Sequence, residues 1–92
     1  MDDSKIIITV SGADKIGIVA GVVNILAKYM VNIEDIKQTL MQGHFVMFML
    51  CDIKESEISF KELKNALIEE GNRMEVEIWV QKKGVFEKMH TV

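Results

Sequence analysis

Phe45-Val46-Met47-Phe48-Met49-Leu50-Cys51 is an unbroken apolar run, and no other stretch limits the fold as tightly. Read as a strand, it presents Phe45, Met47, Met49 and Cys51 to one side and Val46, Phe48 and Leu50 to the other, because side chains alternate along a strand. It is too short to cross a membrane as a helix, and no other segment approaches that length. A strand apolar on both sides belongs inside a sheet, and an open face so apolar is normally covered.

The rest of the chain supplies the partners. Lys5 to Ser11 reads as a first strand around Ile6-Ile7-Ile8-Thr9-Val10. From Ile18 to Met30 the apolar residues Ile18, Val19, Val22, Val23, Leu26, Tyr29 and Met30 fall on one helical face. Asn32 to Met41 is a second strand, with Ile36, Gln38 and Leu40 alternating against Lys37, Thr39 and Met41. Ile33 is out of phase with Ile36, which predicts a bulge near Glu34-Asp35. Gln42-Gly43-His44 is a hairpin signal leading into the apolar strand, Phe45 to Ile53. After a polar connector, Lys54 to Ile58, Ser59-Phe60-Lys61-Glu62 has the form of a capping box. The helix it opens carries Phe60, Leu63 and Leu67 on one side and takes Gly71 as its stop. Met74 to Gln81 is a fourth strand, with Val76, Ile78 and Val80 alternating against Glu75, Glu77 and Trp79.

The order β-α-β-β-α-β, with right-handed crossovers, predicts an α+β fold, the ferredoxin-like sandwich: an antiparallel sheet in strand order 4-1-3-2 with both helices on one face. Residues 1–81 make the domain, with no proline and no linker inside it, and 82–92 form a tail. Val85, Phe86 and Met89 share one side of the tail if it is helical. The expected cover for the open sheet face is this tail, packed on the domain or on a partner, together with a second copy of the chain. The expected interface residues are Gln38, Phe45, Met47, Trp79 and Phe86.

Charge and residue usage exclude several functions. A net charge of -3 argues against general nucleic-acid binding, which needs a basic face. The first strand also lacks the aromatic residues of an RNA-binding sheet. One cysteine, Cys51, forbids an intrachain disulfide and fits a reducing compartment. Met1-Asp2-Asp3-Ser4-Lys5 is acidic where a signal peptide is basic, so a cytoplasmic location is expected. No nucleophile–base pair stands out, and the first loop has no arginine for a phosphate; Arg73 is the sole arginine. Catalysis and cofactors are therefore not expected. Cys51, Met47 and Met49, with His44 beside them, read as core packing before they read as a soft-metal site. His44 and His90 are too sparse for zinc.

The segment that points to a ligand is Gly12-Ala13-Asp14-Lys15-Ile16-Gly17-Ile18, between the first strand and the first helix. Glycines allow a sharp turn and close approach, and a helix start offers unpaired N–H groups that suit a carboxylate.

Five stretches carry a resemblance. Asp14-Lys15-Ile16-Gly17-Ile18-Val19, with a helix ending in Tyr29-Met30-Val31-Asn32-Ile33, resembles the ACT domain, the small-molecule-sensing module of amino-acid metabolism. Asn32 to Met41, Phe45 to Leu50 and the ending Phe86-Glu87-Lys88-Met89-His90 resemble the stand-alone UPF0237 proteins more closely. The resemblance implies dimers or larger homo-oligomers with an amino acid or related carboxylate near a subunit interface. It implies contacts from Gly12 to Gly17, with Ile18 beside them, and from Asn32. The serine-sensing members' asparagine and Arg-Pro-Gly are absent, so serine specificity is not implied. With no catalytic domain in the sequence, a regulated enzyme would be a separate chain. Each residue also has a simpler role: Asp14 as a helix cap, Gly17 in loop packing, Asn32 in a turn, Gln38 and Thr39 in an interface. The expected function is a stand-alone regulatory sensor; the alternative is an interaction module with no ligand.

Overall fold

The computed structural model describes residues 4–13 and 16–89. The elements are β1 (Lys5–Ala13), α1 (Ile18–Lys28), β2 (Asn32–Met41), β3 (His44–Asp52), α2 (Phe60–Met74), β4 (Glu77–Lys82) and α3 (Lys83–Met89). The strands form one antiparallel sheet in the order β2-β3-β1-β4. The apolar run is β3, flanked by β1 and β2. The ferredoxin-like frame expected from the sequence is present, with α3 added after it.

The helix-covered face holds the core. Ile6, Ile8 and Val10 of β1, Phe45, Met47, Met49 and Cys51 of β3, and Ile78 and Val80 of β4 share one buried cluster with Val22 and Leu26 of α1 and Leu63 and Leu67 of α2. Phe45 is 6% exposed and Met47 0%. The expectation that these two form an interface is therefore corrected: the helices already cover them. The strand face left over is the one bearing Val46, Phe48 and Leu50.

Both main helices end in the same way. Met30 and Glu75 adopt positive φ, 58° and 60°. The next residue closes back over the last turn, Val31 N–H to the Leu26 carbonyl at 2.8 Å and Val76 N–H to the Gly71 carbonyl at 2.9 Å. Both valines are buried, the apolar contact that accompanies this kind of helix end. At the start of α2 the capping box is complete: Glu62 N–H donates to Ser59 Oγ at 3.1 Å, and Ser59 N–H to Glu62 Oε1 at 3.0 Å.

Several boundaries differ from the sequence reading. α2 does not stop at Gly71 but runs on to Met74, so β4 begins at Glu77 and not at Met74. Gly71 is buried in the helix, where a Cβ would lie 2.9 Å from Ile78 Cγ1 and 2.9 Å from the Val76 carbonyl. The glycine is there for close helix–strand packing. β1 continues past Ser11 to Ala13 because Gly12 and Ala13 pair with Phe45 and His44. The bulge predicted in β2 is found between Ile33 and Asp35. Among the described residues no helix is long and apolar enough to cross a membrane.

Candidate functional site

The two segments expected to bind a ligand lie at opposite ends of the sheet. Asn32 pairs with Asp52, which pairs with Lys5 at the start of β1; Ala13, at the other end of β1, pairs with His44. That separates them by roughly 26 Å of strand, at about 3.3 Å per residue. One protomer does not bring them together.

At the first end, Ala13 closes β1 and Gly17 is the N-cap of α1, in the left-handed region at φ 93°. Any side chain would be strained there. Gly17 has no side chain to cap the helix start, and none does so among the described residues. Its first bond runs from Gly21 N–H to the Gly17 carbonyl at 2.8 Å. Asp14 and Lys15 lie outside the described residues. Ile16 is fully exposed at 107%, an unusual place for so apolar a side chain, whereas Ile18 is 2% exposed and belongs to the core. Ile18 is thus removed as a side-chain ligand contact. Gly12 abuts Val76, whose Cγ1 lies 2.8 Å from where a Cβ would stand.

At the second end, Asn32 is exposed and lines a hollow of about 540 Å³ with Ala27, Met30, Asp52, Lys54 and Glu55. The hollow forms because α1 stops at Lys28 and the left-handed turn at Met30 swings the chain into β2. Asp52, on its lining, is held by a small electrostatic network. Lys5 Nζ pairs with Glu34 and, at 3.2 Å, with Asp52. Asp52 also accepts the Lys54 N–H at 2.8 Å. Hydrogen bonds from Ser4 and then Lys54, together with the Lys5 ammonium, hold the Asp52 carboxyl below its ordinary pKa. The Glu34 hydrogen bond, ahead of the Asp52 contacts, raises that of Lys5. Asp52 reads in the sequence as the polar end of a strand, and Lys54 and Glu55 as a polar connector; only the strand register sets them beside Asn32.

Two other surfaces are unusual. β2 is exposed along nearly its whole length and is a sheet edge. Ile36, Leu40 and Met41 stand exposed on it. Gln38 lies among them. Ile36 donates its N–H to Asp35 Oδ1 at 2.9 Å, so this parity of the strand, which includes Gln38 and Leu40, turns its donors away from β3.

The second surface is the sheet face opposite α1 and α2. There α3 lies over β1 and β4. The Phe86 ring meets Phe48 edge-on, with centroids 6.3 Å apart, and the Gln81 amide reaches the Met89 sulfur at 2.9 Å. Trp79 stays 48% exposed beside them. Of the expected interface residues, Gln38 and Trp79 remain open to a partner, while Phe86 turns onto its own sheet.

Cys51 is buried, and loss of solvation, with the Glu34 charge adding to it, pushes its thiol from the ordinary 9.0 to about 12. His44 does not join it: His44 Nε2 lies 3.0 Å from Ser11 Oγ on the other side of the sheet. Among the described residues no three His, Cys, Asp or Glu side chains are grouped to hold a metal. His90 lies outside the described residues.

Known proteins resemble this chain over almost its full length. The family model described as ACT domain matches residues 4–81. A UPF0237 protein of Clostridium acetobutylicum is 49% identical over 88 residues, 96% of this chain and 99% of that protein. The solved ACT domain protein from Streptococcus pneumoniae is 38% identical with a TM-score of 0.77, covering 90% of this chain and 93% of that one. The ligand-free regulatory subunit of aspartate kinase from Thermus thermophilus, 21% identical with a TM-score of 0.66 over 87% of this chain and 52% of that one, shares the fold.

Proposed function

The chain belongs to the ACT domain family, and from that premise we propose that it is a small-molecule-sensing regulatory protein whose ligand, an amino acid or related carboxylate, binds between two copies of the chain. One observation carries this reading. The loop ending at Gly17 and the hollow at Asn32 lie at opposite ends of one sheet, and the strand between the hollow and solvent, β2, is an unpaired edge. Two β2 edges meeting antiparallel about a twofold axis reverse end for end. Each Asn32 hollow then faces the end of the partner that carries the Gly12–Gly17 loop. Such an edge is a ready template for another chain, and Ile36, Leu40 and Met41 supply apolar surface for it.

The chemistry fits a zwitterion. The start of α1 has N–H groups with no side-chain cap among the described residues, suited to a carboxylate. The hollow offers the Asn32 amide together with Asp52 and Glu55 carboxylates for an ammonium group. Regulation would act on a separate protein that reads the ligand-bound dimer.

Complementation tests the composite site. Thermal shift and calorimetry across the common amino acids identify a binder, since a ligand of the folded form stabilises it by mass action. Asn32→Ala and Ile16→Asp, both at exposed positions, are each expected to lose that binding. Mixed in equal amounts and allowed to exchange, they should regain about a quarter of the sites, because half the dimers are mixed and each mixed dimer has one intact site of two. Loss of binding in both variants without regain sinks the shared site. If no amino acid binds at millimolar concentration, the exposed apolar residues of β2 favour the second reading, an oligomerisation module without a ligand.

A further inference from the structure

The far face of the sheet holds a second candidate site, away from Asn32. Between α3 and the strands runs a slot of about 240 Å³, lined by Ile7, Phe48, Leu50 and Phe86 and edged by Asp35 and Lys37. We propose that this slot binds a free apolar α-amino acid, with its side chain among the four apolar residues, its ammonium at Asp35 and its carboxylate at Lys37.

Size, charge and construction support one class of ligand. A volume of 240 Å³ lies below the ~300–1,000 Å³ usual for drug-sized ligands. It suits one small metabolite and not a nucleotide. The strand register puts Asp35 opposite Leu50 and Lys37 opposite Phe48, so both side chains rise from the slot's face of the sheet at its rim. Two residues apart on one strand, their Cα atoms are about 6.6 Å apart, a span that the two charged groups of an amino acid bridge. No ion pair within the described residues occupies either side chain. A bare carboxylate would meet Asp35, and a bare amine would meet Lys37; only a zwitterion satisfies both. The walls are also adjustable. No residue of α3 is fully buried, and Phe86 separates this slot from a neighbouring one of about 310 Å³ beside Thr9, Trp79 and Met89. A modest shift of α3 therefore opens the slot to a bulkier side chain.

The site is independent of the composite site proposed above, and residue-resolved titration separates the two. L-leucine, L-phenylalanine and L-methionine are titrated into the isotope-labelled protein while backbone amide signals are followed by NMR. Saturable shifts at Lys37, Phe48, Leu50 and Phe86 are expected. 4-Methylpentanoate and isoamylamine, each lacking one charge of leucine, should bind about tenfold more weakly, the size of one lost charge-assisted hydrogen bond. Lys37→Ala and Asp35→Ala, both at exposed positions, should do the same. Shifts confined to Asn32, Asp52, Lys54 and Glu55 assign the ligand to the composite site alone and overturn the slot. So do analogues that bind as well as leucine, or no shift at millimolar ligand. If the slot signals move with protein concentration in the absence of ligand and do not respond to leucine, a second copy covers this face and the proposal falls.

Discussion

Cys51 illustrates how burial rewrites a residue's chemistry. Its thiol is pushed up to about 12, so the folded protein carries almost no thiolate at pH 8, and thiolate is the reactive form. Alkylation by iodoacetamide at pH 8 is expected only on unfolding, at a rate set by the opening of the core; prompt labelling of the native protein would contradict this. The same shift has a stability sign. The folded pKa is above the unfolded one, so the contribution is complete below pH 9 and is lost as pH rises from 9 towards 12. Cys51→Ala should flatten urea-melt stability across that window. Asp52 works in the opposite sense: its folded pKa is lowered by Ser4, Lys54 and Lys5. Its stabilisation is therefore present above the ordinary carboxylate range and is lost as pH falls through the folded pKa. Asp52→Asn should reduce the acid sensitivity of the melting temperature below about pH 4. Gly71 tests the packing. Gly71→Ala places a methyl group 2.9 Å from both Ile78 Cγ1 and the Val76 carbonyl, and overpacking of that kind costs about 1–3 kcal/mol. An unchanged urea midpoint would mean that α2 and β4 separate freely.

At the scale of elements, the capping box and α3 are the informative cases. Ser59 and Glu62 were legible as a helix start because the motif satisfies two backbone donors with local side chains. Ser59→Ala should cost about 1 kcal/mol. The end of α2 was not legible. Glycine usually marks a helix stop, but here the stop is Glu75 at positive φ, and Gly71 answers to the strand packed against it. α3 was foreseeable as an apolar stripe, though not its contacts. Phe86 leans on Phe48 across the sheet, and removal of residues 83–92 uncovers Phe48. The truncated protein should lose about 1–2 kcal/mol of stability by urea denaturation, the fraction expected for one half-buried aromatic ring. An unchanged midpoint would make α3 a passenger on the sheet.

For the whole molecule, the question is which surface meets a second copy. The observations favour β2, because it is a sheet edge whose exposed Ile36, Leu40 and Met41 have no cover within the described protomer. Light scattering at micromolar concentration should report twice the protomer mass. Gln38→Pro removes one outward donor without touching the bonds to β3, and should lower the measured mass towards the protomer while the fold, by circular dichroism, persists. If Trp79→Ala lowers the mass and Gln38→Pro does not, the contact lies on the α3 face instead.

The sequence alone determined the order of elements, the interior place of Phe45–Cys51, the bulge in β2 and the cap of α2, because periodicity, turn residues and capping are local properties written within a few residues. It could not decide which side of the apolar strand the helices would cover. Both sides of that run are apolar, so only the docking of α1 and α2 sent Phe45 and Met47 inward and left Phe48 out. Tertiary structure likewise decided that Gly12 and Ala13 stand at the opposite end of the sheet from Asn32, and that Asp52, Lys54 and Glu55 join Asn32. Those relations are set by strand register across residues distant in the chain, and no local pattern encodes them.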